Sequence, residues 1–224
     1  MFAKTIAAFV VFAVATVPVA MGQVSAGLTG EPLSVEMMLI RENSMALNRE
    51  QNMFALEYTN NAIGGGGVDA EIYAALERLV HGSTLNRIIA GGRVANDFPD
   101  VRREAARQLG AIGSQDARAI LMRACLAERE PMVLQEVMAS LGGINSDNNH
   151  QTSVIIVRVA GRAHRYPAPN NHVALAAVNA LESLASMDGG ITYPGAFWYI
   201  FDVAGGPYVP VVRQRAQEVI DSLR

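Results

Sequence analysis

The stretch DVRREAARQLGAIG, residues 100–113, decides the fold of this chain. Its apolar anchors are Val101, Ala105, Leu109 and Ile112, which are spaced by 4, 4 and 3 residues. This spacing places the four side chains on one face of an α-helix. Because many amphipathic helices have such a face, the fold depends on whether the pattern recurs along the chain.

The four-anchor pattern does recur, at intervals of 32–40 residues. Recurrence at such intervals is typical of repeat architectures, in which each unit covers the apolar face of its neighbour. The further copies are Val68-Ile72-Leu76-Leu79, Val133-Val137-Leu141-Ile144, Val173-Ala177-Leu181-Leu184 and Val212-Ala216-Ile220-Leu223.

The segments between the copies predict second helices, so that each repeat becomes a helical hairpin. Two of these segments have weaker helix signals. The β-branched run SVIIV disfavours a helix in one of them, and Gly91-Gly92 loosens the helix in another. The predicted second helices are residues 83–95, 114–128, 150–163 and 194–204.

The opening stretch resembles the first helix of a HEAT repeat, particularly the short type found in phycobilisome-lyase-like HEAT proteins. The shared pattern is valine-arginine, two alanine positions, leucine-glycine and isoleucine-glycine. The resemblance is good over residues 100–128 and weaker over residues 131–163, 171–204 and 211–224. It implies an all-α, armadillo-type α-solenoid, an architecture that hosts scaffolds, adaptors and a few lyases.

The segment before the repeats predicts a cap for the first of them. Residues 34–62 are expected to form one long helix, and the glycines at 64–67 form a loop, so that residues 34–67 precede a repeat domain at 68–224. Residues 27–33 are expected to be a flexible mature N-terminus. The predicted architecture is a HEAT-like superhelix of about four helical hairpins with an N-terminal capping helix.

Residues 1–26 have the pattern of a secretory signal peptide. Lys4 precedes an apolar run over residues 6–21, and cleavage is expected after Ala26 or after Gly22. No cysteine lies near the expected cleavage positions, so a lipoprotein anchor is not indicated. The alternative is an uncleaved membrane anchor, but the run is shorter than the roughly 20 residues that span a bilayer. We expect a periplasmic or secreted protein with no stable membrane span after cleavage.

Composition and motifs argue against several kinds of chemistry. With 18 Lys and Arg residues against 21 Asp and Glu residues, the chain lacks the cationic excess of a nucleic-acid binder. Its single cysteine, Cys125, excludes an intramolecular disulfide and is expected to be a buried thiol. Ser83 lies near His81 but has no nucleophile-elbow pattern, and no metal-ligand spacing occurs. We therefore predict no catalytic residue, cofactor or metal site.

Arginines recur along the predicted second helices, and the last of these helices adds aromatic residues. In a HEAT-like stack such helices line the inner, concave face, where arginine, tryptophan and tyrosine would suit a protein segment with acidic and apolar anchors. Alternatively, the arginines only solvate helix surfaces and the aromatic residues belong to the core. The predicted protein-binding residues are Arg87, Arg118, Arg123, Arg158, Arg162, Trp198 and Tyr199, with Arg93 and Asp202 nearby in the same segments.

These observations favour an exported, non-enzymatic scaffold that presents a concave surface to another protein. One alternative, implied by the resemblance, is an enzyme related to the bilin lyases that handles an anionic tetrapyrrole-like ligand through arginines. Another alternative is a structural subunit of an envelope or motility assembly.

Overall fold

The computed structural model describes residues 34–144, 150–163 and 169–223. Within these residues the chain forms ten α-helices and one two-stranded hairpin, and the predicted signal peptide and mature N-terminus lie outside them. The elements are α1 (Val35–Met45), α2 (Arg49–Gly64), α3 (Ala70–Leu85), β1 (Ile89–Ala90), β2 (Arg93–Val94), α4 (Pro99–Ile112), α5 (Gln115–Ala127), α6 (Pro131–Gly143), α7 (Gln151–Ala163), α8 (Asn171–Asp188), α9 (Pro194–Gly205) and α10 (Pro210–Ser222).

The helices are stacked in two layers. The A layer consists of α2, α4, α6, α8 and α10, each packed against the next, and the B layer consists of α3, α5, α7 and α9 in the same manner. Each B-layer helix also packs against the A-layer helix that follows it, and α1 packs on α2 and α3. The predicted α-solenoid of about four helical hairpins with an N-terminal cap is confirmed. None of the described helices is long and apolar enough to cross a membrane.

The four-anchor pattern marks the A layer in α4, α6, α8 and α10. The second and third anchors of every one of these helices are at most 4% exposed, so the pattern corresponds to the core. Those buried anchors are Ala105 and Leu109 in α4, Val137 and Leu141 in α6, Ala177 and Leu181 in α8, and Ala216 and Ile220 in α10.

Two glycines allow the A-layer helices to approach closely. A Cβ placed on Gly142 of α6 would lie 2.7 Å from the Cα of Ala180 in α8. A Cβ on Gly110 of α4 would lie 2.7 Å from the Cβ of Ser140 in α6. Both separations are below normal van der Waals contact, so the leucine-glycine pair of the repeat pattern has a steric role.

The single helix predicted over residues 34–62 is wrong, because the chain turns between α1 and α2. Asn48 caps α2 by accepting a hydrogen bond from the Glu50 backbone N–H at 2.8 Å. The buried Asn52 side chain donates to the carbonyls of Asn43 and Ala46 at 2.9 and 3.0 Å, which satisfies the end of α1. The break leaves α1 as the cap and makes α2 the first A-layer helix.

The first predicted repeat is also shifted. The copy that begins at Val68 is the B-layer helix α3 rather than an A-layer helix. The second helix predicted over residues 83–95 is wrong, because the chain forms the β1–β2 hairpin there. Gly91 and Gly92 occupy its turn with φ values of 58° and 76°, a conformation that glycine adopts without strain.

A buried ion pair joins α4 to the start of α6. The Arg102 Nε donates to Glu128 at 2.7 Å, and the two side chains are 4% and 3% exposed. The Arg102 Nη1 also donates to Asp97 at 2.7 Å and to Ser83 at 3.1 Å. Hydrogen bonds from Ser83 and Arg102 lower the pKa of Asp97. Glu128 in turn accepts hydrogen bonds from two backbone N–H groups just before α6, those of Arg129 and Glu130.

Candidate functional site

A groove runs between two neighbouring helices of the B layer, and we call it the α7–α9 groove. Its volume is about 470 Å³. One wall is the second half of α7 and the other is one face of α9. The lining residues are Val157, Arg158, Gly161, Arg162, Gly195, Trp198, Tyr199 and Asp202.

The helix periodicity of α9 explains how its residues reach the groove. Pro194 occupies the first helical position, where its missing N–H leaves no hydrogen bond unmade. Ala196, Ile200 and Val203 are each at most 3% exposed and hold the helix in the core. Because Trp198 lies on the opposite side of the helical wheel from these core positions, its side chain projects away from the core.

Trp198 supplies exposed aromatic surface to the α9 wall, and Phe201 lies beside it outside the groove lining. Trp198 is 61% exposed and Phe201 is 54% exposed. The Trp198 ring packs edge-to-face against Phe197 and Phe201, with ring centroids 5.7 and 6.2 Å away. These contacts hold the indole in place while most of its surface stays open to a partner.

Tyr199 contributes an apolar backing to the groove. Its side chain is 7% exposed, and burial raises the pKa of its hydroxyl far above the ordinary value. The hydroxyl lies beside Tyr208, which raises the pKa of Tyr199 further. The phenol is therefore neutral at ordinary pH.

The α7 wall supplies two cations. Arg158 is exposed, and within the described part of the chain no carboxylate lies within ion-pair distance of it. Arg162 donates from Nη2 to the Leu126 carbonyl at 3.2 Å, which attaches its guanidinium to the end of α5. Asp202 supplies a single carboxylate to the lining, so the charge of the groove is positive overall.

The other arginines predicted for this surface do not line the groove. Arg123 of α5 forms an ion pair with Glu77 of α3 at 2.5 Å, which engages its guanidinium outside the groove. Arg118 is half-buried near the start of α5. Arg87 lies in the loop before β1 and Arg93 lies in β2, because the helix predicted for that segment does not form. Of the predicted arginines, only the two of α7 therefore line the groove.

Sequence reasoning missed the residues that open the groove. In the sequence, Gly161 only interrupts the predicted helix over residues 150–163, whereas in the structure a Cβ placed there would meet no atom within 4 Å. Gly195 and Val157 were not predicted at all. A glycine within a helix of a repeat can indicate an open groove, but only once the helix packed beside it is known.

Two buried groups of the B layer, Cys125 in α5 and His81 in α3, have perturbed acidity. Burial raises the pKa of the Cys125 thiol to about 12, which makes it unreactive at neutral pH. His81 of α3 is 3% exposed, and neither ring nitrogen has a hydrogen-bond partner among the described residues. Its Nε2 lies 3.9 Å from a Glu77 carboxylate oxygen. Burial lowers the pKa of His81, and the charge of Arg123 adds to this effect against the opposing charge of Glu77.

We expect acid to destabilise the fold through His81. The unfolded chain binds the proton near pH 6.5, whereas the folded chain binds it only at lower pH, so stability is lost as pH falls below about 6.5. Each unit of pKa lowering corresponds to about 1.4 kcal/mol. Urea unfolding at pH 7.5 and 5.5 measures the loss, and His81→Phe should reduce it. His172→Gln, at an exposed position, is the control; equal losses in the native chain and in His81→Phe contradict the prediction.

Comparison with known proteins shows the type of repeat. Residues 93–158 match the family model of HEAT repeats. The fold is HEAT-like. The chain is also similar in structure to a chain of the complex of CpcE and CpcF of phycocyanin lyase from Nostoc sp. PCC7120. That similarity has a TM-score of 0.55 at 19% identity and covers 88% of this chain and 67% of the other. No curated protein matches the sequence.

Proposed function

We propose that this HEAT-like solenoid is a non-enzymatic scaffold that binds another protein through its B layer, with the α7–α9 groove at the centre of the contact. The observation that supports this most is the groove itself. It combines an exposed tryptophan, a buried tyrosine and two arginines, which are the residue types that dominate binding hot spots. The stacked helices supply a rigid support for these side chains.

A protein partner agrees with both comparisons. HEAT repeats stack into extended surfaces that suit protein binding. The similar solved structure is itself a complex of two proteins. We further propose that the chain acts after export, with residues 1–26 as its signal peptide, because their sequence has the charged, apolar and small-residue regions of such a segment.

Capture of partners by the tagged chain tests the scaffold proposal. Arg158→Glu should lower the recovery of specific partners by roughly tenfold or more, because a charge repulsion replaces a contact at the centre of the interface. Arg213→Glu is the matched control, since Arg213 is an exposed arginine on α10 outside the groove. Quantitative mass spectrometry of proteins retained from an envelope extract measures the recovery.

Equal recovery with both variants contradicts a role of the groove in partner binding. Circular dichroism of each variant should match that of the native chain, because both positions are exposed.

The intact mass of the recovered chain tests export. A mature chain that starts after Ala26 or Gly22 supports it, and an unprocessed chain contradicts it.

A second candidate function is the handling of an anionic, planar ligand. The observation that favours it is the pairing of Arg158 with the open face of Trp198 in one groove. Guanidinium groups bind carboxylates, and an indole offers a stacking surface. The similar solved structure belongs to a phycocyanin lyase. Absence of any bound chromophore and of any transfer activity in the purified chain would count against this candidate.

A further inference from the structure

The floor of the α7–α9 groove is open because Gly161 has no side chain. A Cβ on Gly161 would meet no atom within 4 Å, and its φ lies outside the left-handed region. Neither packing nor backbone geometry therefore requires glycine at this position. Glycine also lowers helix stability relative to alanine, by up to about 1 kcal/mol in a helix interior. The structural effect of Gly161 is the space that it leaves in the groove.

Gly161 differs in this respect from the glycines of the A layer. Gly110 and Gly142 face side-chain or backbone atoms of the next helix, and any added Cβ would clash. The packing of this chain alone therefore explains why glycine occupies both positions. The space above Gly161 is not filled by any described residue, so it is available to an external side chain.

The walls around this space determine which side chain fits. Val157 is half-buried on one wall and the 61% exposed Trp198 lies on the other, so the space above Gly161 has apolar sides. Burying a bulky apolar side chain there contributes roughly 1.5–3 kcal/mol. An aromatic or leucine side chain can pack against the indole at the same time.

The charges at the edge of this space favour a carboxylate beside that side chain. Arg158 and Arg162 are one helical turn apart, which corresponds to a rise of about 6 Å along α7. Each guanidinium can bind a carboxylate through two parallel N–H donors. Asp202 is the only carboxylate among the lining residues, so the two arginines leave the groove with a net positive charge that attracts an anionic segment.

From these observations we propose that the α7–α9 groove binds an acidic peptide segment of the partner and seats one bulky apolar side chain over Gly161. This inference rests on the proposed scaffold function and names the chemistry of its partner. The carboxylates of the segment bind Arg158 and, after release of the Leu126 carbonyl, Arg162. The apolar side chain lies between Val157 and Trp198.

The single tryptophan of the chain makes this proposal directly measurable. Trp198 is the only tryptophan in the sequence, so its emission reports occupancy of the groove. The probe is a tryptophan-free peptide, acetyl-Glu-Asp-Leu-Phe-Glu-Glu-amide, titrated into the mature full-length chain. We expect a saturable blue shift. A peptide with alanine in place of leucine and phenylalanine, and a peptide with glutamine and asparagine in place of the acids, should each bind roughly tenfold more weakly or worse.

Matched variants locate the binding within the groove. Gly161→Leu fills the floor and should weaken binding of the acidic peptide by roughly tenfold or more. Gly205→Leu is the control, because Gly205 also lies in the last turn of a B-layer helix, also has open space around it and does not line the groove. Arg158→Gln supplies a second test that leaves the floor unchanged. Thermal unfolding should show that all three variants fold.

The outcomes separate this inference from the proposed function. If no peptide gives a saturable shift while Arg158→Glu still lowers partner capture, the peptide chemistry is wrong and the scaffold function stands. If the neutral peptide binds as tightly as the acidic one, the role of the arginines is wrong. If 3-phenylpropionate alone binds as tightly as the peptide, the groove is a small-molecule site. If Gly161→Leu leaves the affinity unchanged, the apolar side chain does not lie over Gly161.

Discussion

Arg102→Met is expected to lower the free energy of unfolding by about 3–5 kcal/mol, because it leaves a buried carboxylate without its counter-charge. The partner is Glu128, whose side chain is 3% exposed. The substitution also removes hydrogen bonds to Ser83 and Asp97 beside the end of α3. The Arg102 methylenes pack beside Gly82, and methionine retains an apolar stem there. The loss in the free energy of unfolding should therefore come chiefly from the missing positive charge.

The neighbouring arginine is a matched control for this experiment. Arg103 also forms an ion pair, with Glu136 at 3.3 Å, but its side chain is 49% exposed. Exposed pairs contribute at most about 1 kcal/mol, so Arg103→Met should have little effect. Urea unfolding followed by circular dichroism gives both free energies. Similar small losses for the two variants would show that the buried pair is not important for stability.

Gly142→Val is the second substitution with a large expected effect. The added Cβ would lie 2.7 Å from the Ala180 Cα and 3.2 Å from its carbonyl oxygen, so the backbones of α6 and α8 must move apart. Overpacking of this kind destabilises by about 1–3 kcal/mol, and we expect the upper end because the obstacle is backbone. Thermal unfolding measures the loss.

The next residue provides the control. Gly143 is exposed, and a Cβ placed there would meet nothing within 4 Å. Gly143→Val should therefore change the free energy of unfolding by no more than about 0.5 kcal/mol in either direction. A loss as large for Gly143→Val as for Gly142→Val would show that glycine is required here for helix geometry rather than for close approach.

The same steric argument explains why the repeat pattern changes along the chain. The position after the third anchor is Gly110 in α4 and Gly142 in α6, but Glu182 in α8. Glu182 forms an ion pair with Arg215 of α10, so the last A-layer contact is polar where the earlier ones are close-packed. The weaker resemblance of the C-terminal repeats to the HEAT pattern thus has a structural cause.

Sequence predicted the A layer well because its four anchors are core residues. It placed α3 in the wrong layer, since Ile72, Leu76 and Leu79 have the spacing of any amphipathic helix and spacing does not specify the packing partner. The β1–β2 hairpin was missed for a related reason. Its open end is closed by Asn96, whose side chain accepts a hydrogen bond from the Ile88 N–H at 3.0 Å, a contact that spacing does not reveal.

Predicted binding residues came together only where the helix prediction was right. Arg158 and Arg162 on α7 and Trp198 and Tyr199 on α9 line one groove, although binding to that groove stays a prediction. Sequence alone did not show that Arg123 is paired with a carboxylate, because its partner Glu77 lies 46 residues away on another helix.

Glu128 links two A-layer helices, α4 and α6, that belong to successive repeats. In repeat proteins, stability is approximately a sum of terms for single repeats and their nearest neighbours, so unfolding can proceed repeat by repeat. One of its carboxylate oxygens pairs with Arg102 of α4, and the other holds the backbone N–H groups that lead into α6. Loss of either helix therefore removes a partner from the other. Backbone amides of α4 and α6 should consequently exchange with solvent deuterium as one cooperative unit, rather than in sequence from an end.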